Sequence, residues 1–371
     1  MTSMRALHVF PSFDIGGSQM RFAMLTRAFD ADLLHNVIAL DGRCAAAGLL
    51  PAHRRVNIVA LPSRPRTLAA RLSIFRNLIA KFTPDVLLTY NWGAIEWALA
   101  NLWRPTPHIH FEDGFGQEES DRQLARRIWT RRVALNHSTV VVPSVTLQKV
   151  AVDLWRVPAR NVRYIPNGLE PRDRPLIDFD FSALGIPAKQ LRIVWVGALR
   201  PEKNPLRLLR AFARVATEAE LIVIGDGPQR DAIIREATRL SLGAHVHMLG
   251  YRSDARDIIM GCDIMVLSSD TEQMPFSILE GMDAGLAIAA VDVGDVRRMV
   301  SSRNRPFIVP RSDDALPSAL QKLVINSQAR AEIGAENRKK LRHTYHIDRM
   351  IRAYRDLFDR ACVSAWDAHH A

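Results

Sequence analysis

Short apolar runs alternate with amphipathic segments along most of this sequence, and this alternation is what most limits its fold. Residues 5–10 and 84–90 are short and mostly apolar, as buried strands are, whereas residues 67–82 and 95–103 have helical periodicity. The alternation starts again at residues 191–197. Because parallel strands need a long crossover connection, usually a helix, the sequence predicts an α/β protein with doubly wound sheets.

Length predicts two domains of similar size. The chain has 371 residues, which is more than one hydrophobic core ordinarily supports. Residues 171–190 are rich in Pro and Asp and are interpreted as a linker between the two sets of strands. We therefore expect one domain at residues 1–170 and a second at residues 171–345. A final amphipathic helix is expected within residues 346–371.

The composition is that of an ordinary soluble protein, with 48% hydrophobic and 24% charged residues. Cys44, Cys262 and Cys362 are too far apart to indicate a disulfide framework or a zinc site, and they favour a reducing compartment. The apolar run near the start is too short for a signal peptide. No window approaches the ~20 apolar residues of a membrane-spanning helix. We therefore expect a cytoplasmic protein.

The formal net charge is +11, and most of it lies in the first half of the chain. Residues 1–171 carry 21 Lys and Arg against 13 Asp and Glu, whereas residues 172–371 carry 29 against 26. This excess favours an anionic partner for the first domain, such as nucleic acid, anionic lipid or a phosphorylated acceptor. No nucleic-acid-binding motif is present, so we expect no nucleic acid.

One basic segment predicts a more specific contact, with an anionic membrane surface. Its arginines surround Ile128, Trp129 and Val133, and a basic helix with such residues can lie on a membrane. The alternative is a solvated basic face with Trp129 in the core. The arginines concerned are Arg122, Arg126, Arg127, Arg131 and Arg132.

Residues 268–285, SSDTEQMPFSILEGMDAG, have the pattern of a binding site for a nucleotide sugar. They follow an apolar strand and lead into a helix that begins near Pro275 or Phe276, and proline suits a first helical turn. The unpaired amides of that turn attract an anion. Glu272 and Glu280 flank them and can accept hydrogen bonds from hydroxyls. A diphosphate between hydroxyl-rich rings has this chemistry.

The Glu272-x7-Glu280 spacing, with Pro275 three residues after the first Glu, resembles the donor-site signature of retaining GT-B glycosyltransferases of family 4. The resemblance is specific over residues 195–291 and weak over residues 1–165. It implies the GT-B fold, with two Rossmann-like doubly wound domains facing a central cleft. It also implies that the C-terminal helix crosses back to the first domain.

In the second domain the resemblance implies a donor-binding role for three segments. Arg200 and Lys203 would clamp the diphosphate and stabilise the charge that develops as it departs, although the family often has its arginine where Ala198 stands. Glu280 would accept from the ribose and Glu272 from the donor sugar. The remaining donor-binding residues are the nucleobase contacts Gly250 and Tyr251 and the helix-turn amides of Phe276, Ser277 and Ile278.

In the first domain, Gly16 and Gly17 stand at the first strand-to-helix turn, with Gln19 or Arg21 nearby. Glycine lets a backbone approach a ligand, and the pair is similar to the glycine loop of family 4. The fingerprint GxGxxG of dinucleotide-binding proteins is absent. The alternative is a plain tight turn.

The loop after residues 108–111 carries the second candidate of the first domain. Family 4 often has a His before a Gly there, and in this chain Asp113 stands at that place, with His110 three residues earlier. Asp113 is predicted to orient the acceptor hydroxyl or to take its proton. The alternative is an acidic turn that caps the next helix.

The predicted function is therefore retaining glycosyl transfer from a UDP-, GDP- or ADP-sugar to a glycan or lipid-linked acceptor, in bacterial polysaccharide, exopolysaccharide or lipopolysaccharide biosynthesis. No cofactor and no metal are expected, because the cations of the site can support the leaving phosphate. Three alternatives remain: a nucleotide-sugar epimerase of the same fold, a two-domain dinucleotide-binding oxidoreductase, and a membrane or nucleic-acid binder without catalysis.

Overall fold

Each apolar run named above forms a strand, and the strands assemble into two separate parallel sheets in the computed structural model. The structure describes residues 4–29, 33–50, 55–61, 66–103, 106–119 and 122–370, with side chains up to residue 361 except at residue 117. The chain divides into two units, each with its own sheet. The first unit comprises Met1–Gly114, Arg122–Asn167 and Met350–Ala371, and the second comprises Phe115–Asp121 and Gly168–Arg349.

The described part of the first unit has a seven-stranded sheet in the order β3-β2-β1-β4-β5-β6-β7, with all neighbours parallel. The order reverses between β1 and β4, as in doubly wound sheets. The second strand was not singled out from the sequence, because its His and Asn residues interrupt the apolar run. The strands are β1 Met4–Phe10, β2 Leu33–Ala39, β3 Val56–Val59, β4 Val86–Tyr90, β5 His108–Phe111, β6 Thr139–Val142 and β7 Val162–Tyr164.

Helices connect these strands. The first helix starts at Gly17, because Gly16 is extended and acts as its N-cap residue. Gln19 donates to the carbonyl of Ser12 at 2.7 Å, which closes the preceding loop. The helices are α1 Gly17–Ala28, α2 Leu68–Phe82, α3 Ile95–Asn101, α4 Ala125–Ala134 and α5 Val145–Lys149.

The second unit has a sheet of six described strands in the order β10-β9-β8-β11-β12-β13, again all parallel. Its order reverses between β8 and β11. Both units therefore have the predicted doubly wound α/β architecture. The strands are β8 Leu191–Val196, β9 Ala219–Ile224, β10 Val246–Gly250, β11 Ile264–Leu267, β12 Ala287–Val291 and β13 Ile308–Val309.

The core of the second unit lies between this sheet and its helices, with Trp195, Phe212 and Leu320 among the fully buried side chains. The helices are α6 Pro205–Phe212, α7 Arg230–Arg239, α8 Ala255–Met260, α9 Phe276–Ala284, α10 Val296–Met299, α11 Ala315–Ile325 and α12 Ser327–Thr344.

The composition of residues 171–190 suggested a linker. In the structure this segment belongs to the second unit and is hydrogen-bonded to its helices. The backbone N–H of Arg172 donates to the Asp283 carboxylate at 3.1 Å, and that of Leu176 donates to Asp257 at 2.7 Å. These carboxylates lie on helices of the second unit and are nearly fully buried. Buried carboxylates that accept from backbone donors order the segment.

The final helix, α13, runs over Ile347–His370. From Met350 onward it belongs to the first unit. The Phe358 ring packs edge-on against Phe29 with centroids 5.7 Å apart, and Tyr354 lies 6.0 Å from Phe111. The side chains of Tyr354 and Phe358 are both buried. Among the helices that the structure describes, none combines the length and apolarity required to cross a bilayer.

Candidate functional site

Two of the loops predicted to bind the donor lie where the second sheet reverses its order. β8 and β11 are parallel neighbours, and the loops after them are residues 197–204 and 268–275. In open α/β sheets the carboxyl ends of strands at such a reversal form a crevice in which ligands bind. The loop after β8 carries Lys203, and the loop after β11 carries Glu272.

The helix that follows β11 presents an uncapped N-terminus. Pro275 is the N-cap residue of α9, and no side chain caps the first turn. That turn also lacks an acidic residue. Because the first amides of a helix have no intrahelical acceptor, those of Phe276, Ser277 and Ile278 are suited to bind an anion. Phe276 and Ile278 are buried, so their side chains anchor the turn in the core.

Lys203 and Glu272 form an ion pair between the two loops. The Nζ of Lys203 donates to Oε1 of Glu272, which also accepts from the hydroxyl of Ser269 at 2.9 Å. The Glu272 side chain is 10% exposed, so it does not extend into bulk water. The second oxygen of this carboxylate can accept from a sugar hydroxyl, and the Lys203 ammonium has further donors for a phosphate.

Ser268, which sequence reasoning did not single out, links the two loops to the sheet. It is fully buried, accepts from Trp195 Nε1 at 3.1 Å and donates to the carbonyl of Lys203 at 2.9 Å. A serine after an apolar strand is too common to be informative in a sequence. Its role becomes visible only when the neighbouring strand β8 places Trp195 beside it.

A second set of polar contacts fastens the same loops together. Arg207 donates to Asp270 at 2.7 Å and to the carbonyl of Ser268 at 2.8 Å. Asn204 donates to Asp270 at 3.0 Å, and the Asp270 N–H donates to the carbonyl of Glu202 at 2.8 Å. These contacts fix the loop backbone before any ligand binds, which is the preorganisation that electrostatic catalysis requires.

Glu280 lies within α9 and is 8% exposed. Burial raises the pKa of its carboxyl, Asp283 adds to this increase, and the guanidinium groups of Arg256 and Arg172 oppose it. Asp283 is itself held by Arg256 at 2.6 Å. Glu280 therefore stands among charged side chains and is shielded from bulk water.

The backbone of Gly294 packs directly against the backbone of the Glu272 loop. Its φ is +56°, and a Cβ built on it would lie 2.3 Å from the carbonyl oxygen of Glu272. The next residue, Asp295, donates its N–H to the carbonyl of Gln273 at 2.9 Å. Only glycine fits such a close backbone approach. Sequence reasoning did not assign this residue to the site.

The other predicted donor-site residues lie at neighbouring strand ends. Arg200 is exposed on the loop that carries Lys203 and accepts the Lys203 N–H at its carbonyl. Gly250 ends β10 with φ +67° and accepts from the Gly225 N–H at 2.8 Å. Tyr251 follows and is 56% exposed. An exposed aromatic ring at a strand end offers a face on which a nucleobase can stack.

In the first unit, Gly16 and Gly17 start α1, whose N-terminus has no side-chain cap. A Cβ on Gly16 would approach Gln19 Oε1 at 2.9 Å. The glycine turn therefore leaves room for the Gln19 side chain that closes the loop. The turn also follows β1, at the point where the first sheet reverses its order.

Asp113 does not cap a helix but is bound by Arg21 of α1. The two guanidinium nitrogens donate to the two carboxylate oxygens at 2.6 and 2.8 Å. Arg21 also donates to Asn167 at 3.2 Å, and the Asp113 N–H donates to Asn91 at 2.7 Å. The Asp113 side chain remains 19% exposed, whereas that of Arg21 is 4% exposed.

His110 is a core residue. It is fully buried, and its Nδ1 lies 2.8 Å from the Thr89 hydroxyl. Its Nε2 lies 3.6 Å from Glu112, which is also fully buried and accepts from Arg131 at 3.2 Å. His110 therefore supports the loop and does not supply the histidine that the family often has at the position of Asp113.

The structure corrects two details of what was expected for the basic segment around α4. Trp129 is 64% exposed, so the alternative that placed it in the core is wrong. Arg131 is also not a surface charge, because it is fully buried against Glu112 and between the rings of Trp92 and Trp155. Helical geometry explains both, since Arg131 lies on the inward face and Trp129 on the outward one.

Two family models match this chain, one in each half. The model described as glycosyltransferase family 4 matches residues 15–173, and the model described as glycosyl transferases group 1 matches residues 177–340. The second range contains both loops of the site in the second unit, and the first contains Gly16, Gly17 and Asp113.

Two curated relatives are similar over most of the chain. D-inositol 3-phosphate glycosyltransferase of Stackebrandtia nassauensis is 24% identical over 310 residues, which are 76% of this chain and 70% of that protein. UDP-Gal:alpha-D-GlcNAc-diphosphoundecaprenol alpha-1,3-galactosyltransferase of Escherichia coli is 25% identical over 265 residues, which are 67% and 68% of the two chains.

Solved structures share the fold. HepE of Anabaena, in complex with UDP and glucose, has a TM-score of 0.83 at 18% identity, over 96% of this chain and 100% of that one. WaaG, a glycosyltransferase involved in lipopolysaccharide biosynthesis, has a TM-score of 0.73 at 16% identity, over 95% and 99% of the two chains. At these identities the likeness shows the fold alone, and it is the fold that the sequence predicted.

Proposed function

The chain belongs to the GT-B glycosyltransferases of family 4, and from this premise we propose that it transfers a sugar, with retention of anomeric configuration, from a nucleotide sugar to a hydroxyl of a glycan acceptor. The observation that carries the proposal is the ion pair of Lys203 and Glu272 at the reversal point of the second sheet, beside the uncapped N-terminus of α9. This arrangement suits a diphosphate that bears a sugar.

The second unit would bind the donor. Lys203, Arg200 and the amides of Phe276–Ile278 would hold the diphosphate, because ammonium, guanidinium and backbone N–H groups all donate to phosphate oxygens. Glu272 would accept from the donor sugar and Glu280 from the ribose. The base would stack near Gly250 and Tyr251. In the first unit, Gly16 and Gly17 would approach the donor, and Asp113 would serve the acceptor hydroxyl.

The reaction is a same-face substitution at the anomeric carbon. The bond from that carbon to the β-phosphate oxygen breaks, and the bond to the acceptor oxygen forms on the same face. The acceptor's proton goes to the departing phosphate oxygen, and the nucleoside diphosphate leaves. Lys203 and Arg200 stabilise the charge that accumulates on the phosphate. No enzymic nucleophile is required for this route.

A UDP-sugar is the donor that the relatives favour. Similar proteins include a UDP-Gal-dependent galactosyltransferase and a protein solved in complex with UDP and glucose. A polysaccharide or lipid-linked glycan is the corresponding acceptor class, since one of these relatives acts on a sugar-diphosphoundecaprenol.

The test is nucleotide release in the presence of acceptors. We expect the protein to release UDP from UDP-glucose, UDP-galactose or UDP-N-acetylglucosamine and to glycosylate a member of a panel of p-nitrophenyl glycosides, as detected by mass spectrometry. Lys203→Ala and Glu280→Gln should each lower the rate by about 10²-fold or more. Arg210→Ala, which removes an exposed cation on α6 paired with Glu236, is the matched control. Absence of nucleotide release from UDP-, GDP- and ADP-sugars alike would refute the proposal.

We also propose that the transfer needs no metal ion, because Lys203 and Arg200 can neutralise the departing diphosphate themselves. Activity in excess EDTA should equal activity in its absence. Complete loss of activity in EDTA that manganese restores would contradict this proposal.

A membrane surface is the proposed second partner of the first unit, at the inner face of the cytoplasmic membrane. Trp103, just after α3, is 57% exposed, and Trp129 and Val133 on the adjacent α4 are 64% and 51% exposed. Arg76 covers the Trp103 ring at 5.4 Å, and Arg132 covers Trp129 at 5.6 Å. Exposed indoles beside cations suit the interface of an anionic bilayer.

Vesicle sedimentation tests this partner. The protein should bind vesicles that contain phosphatidylglycerol, and should not bind vesicles of phosphatidylcholine alone. Trp129→Ala should weaken the binding, whereas Ile58→Ala, which removes an exposed apolar side chain from the edge strand β3, should leave it unchanged. Equal binding by the Trp129 variant and the wild type would exclude this surface.

A further inference from the structure

Arg21 is a buried charge with a specific partner. It lies on the inward face of α1 beside Phe22 and Leu25, where an apolar side chain would be ordinary, and it is 3% exposed. Its two terminal nitrogens hold both oxygens of Asp113, and the guanidinium lies 5.7 Å from the centre of the Phe111 ring. Asp113 and the Phe111 ring therefore together fix the position of the Arg21 guanidinium.

Stability alone does not explain this arrangement. Removing a guanidinium from water costs several kcal/mol, and a buried ion pair seldom stabilises more than a well-packed apolar substitute would. Asp113, in contrast, keeps part of its side chain exposed. The buried charge therefore serves to fix a carboxylate that solvent, or a ligand, can reach.

The backbone of Asp113 is fixed as well. Its N–H donates to the side chain of Asn91, which follows β4 and has φ +55°, a conformation uncommon for a residue other than glycine. Such backbone strain persists only where the surroundings enforce it. Arg21 follows β1, Asn91 follows β4, and Asp113 follows β5, and these three strands are neighbours in the sheet.

We propose that Arg21 is a positioning residue, which holds Asp113 so that its carboxylate accepts a hydrogen bond from a neutral hydroxyl of the acceptor sugar. The inference rests on the proposed function. A carboxylate has about four acceptor positions, and Arg21 occupies one on each oxygen, so further positions remain for hydroxyl donors. Because the guanidinium is buried and the carboxylate balances its charge, the pair as a whole is neutral and suits a hydroxyl better than a phosphate.

The experiment compares transfer with hydrolysis of the same donor. For the UDP-sugar and the p-nitrophenyl glycoside that give most product, both glycoside product and free sugar are measured, together with UDP affinity. Arg21→Lys keeps the positive charge but loses the bidentate contact. Asp113→Asn removes the negative charge of the carboxylate. Arg27→Lys is the control, because Arg27 is an exposed residue of the same helix that donates to the Leu49 carbonyl.

We expect Arg21→Lys and Asp113→Asn to lower the ratio of transfer to hydrolysis by about tenfold or more, since small misplacements of a reacting group are costly. UDP affinity should stay within about twofold of the wild type, and Arg27→Lys should leave the ratio unchanged. A purely structural role cannot produce this result, because an unfolded fraction lowers transfer and hydrolysis equally.

The double variant Arg21→Met/Asp113→Asn keeps the test decisive if a single variant folds poorly, because it leaves no unpaired carboxylate. Its ratio should be no lower than that of Asp113→Asn, since residues that act as a unit are not additive. An unchanged ratio in Arg21→Lys, with normal wild-type transfer, would overturn this inference alone. A wild type that releases no nucleotide would overturn the proposed function and this inference with it.

Discussion

At the scale of single residues, the candidate site contains groups whose burial lowers the folding stability of the protein. Glu280 is the clearest case: it is a carboxyl within a helix, it is nearly fully buried, and its pKa is raised by that burial. Ionising a carboxyl whose pKa is raised by burial destabilises the fold, and the proposed function accounts for Glu280 by a ligand that donates hydrogen bonds to it.

Glu280→Gln should therefore stabilise the free protein and weaken nucleotide binding. A carboxyl whose folded pKa lies above its unfolded pKa contributes stability below the unfolded value and loses it as the pH rises through the folded value. The melting temperature of the variant should thus exceed that of the wild type at pH 8 but not at pH 4. UDP affinity should fall about 10- to 100-fold, as for a lost charged hydrogen bond. A variant melting below the wild type at pH 8 would contradict this account.

Gly294 gives the second prediction at this scale. Gly294→Ala forces a Cβ against the Glu272 carbonyl in addition to the strain of a positive φ, so we expect a loss of ~2–4 kcal/mol and reduced nucleotide release. Gly185→Ala is a matched control in the same unit, with φ +74° and no atom within 4 Å of the built Cβ. Denaturant unfolding measures both, and equal losses in the two variants would show that the contact with Glu272 is unimportant.

At the scale of elements, each candidate site is built from segments that follow neighbouring strands of one sheet. In the second unit these loops follow β8 and β11, and Ser268 joins them through Trp195 and the Lys203 carbonyl. In the first unit the contacts of Asp113 come from residues after β1 and β4. The sheet order therefore decides which loops meet.

Ser268→Ala tests this junction. The substitution leaves the indole N–H of Trp195 and the Lys203 carbonyl without their buried partner, so we expect a loss of ~1–3 kcal/mol and a weaker response to UDP in thermal denaturation. Ser318→Ala is the control, because the Ser318 hydroxyl donates only to an exposed helix-turn carbonyl, that of Asp314. Wild-type stability and UDP response in Ser268→Ala would exclude the role of this junction.

The sequence predicts elements better than contacts. The apolar runs identify most of the strands, and the Glu272-x7-Glu280 spacing identifies the helix and loop of the candidate donor site, because both are local patterns. The partnership of Arg21 with Asp113 joins residues 92 positions apart, and that of Trp195 with Ser268 joins residues 73 apart. Such pairs depend on strand order, which local periodicity does not determine. For the same reason Arg131 resembles a surface charge in the sequence and is buried in the fold.

At the scale of the whole molecule, two similar sheets carry different chemistry. The described strands of both are parallel and reverse order once, but the first unit presents a fixed carboxylate and the second presents a lysine beside an uncapped helix. The first unit also includes α13 from Met350 onward, which packs Phe358 against Phe29.

Phe358→Ala should destabilise the first unit without altering donor binding. Truncating a buried phenylalanine typically costs ~3–5 kcal/mol, and its partner Phe29 belongs to the same unit. We expect a lower first transition in thermal unfolding and an unchanged Kd for UDP in isothermal titration. Arg352→Ala, an exposed change on the same helix, should affect neither. A weakened UDP Kd in Phe358→Ala at temperatures where the protein is folded would contradict this separation.

The return of the chain to the first unit at Met350 has a practical consequence for protein engineering. No single cut in the gene separates the two halves, because the portion encoding residues up to Asn167 lacks the aromatic residues that its own core receives from the tail. A chimera that exchanges the first unit with that of a relative must therefore transplant two stretches of coding sequence together, the leading one and the trailing one, while leaving the middle in place.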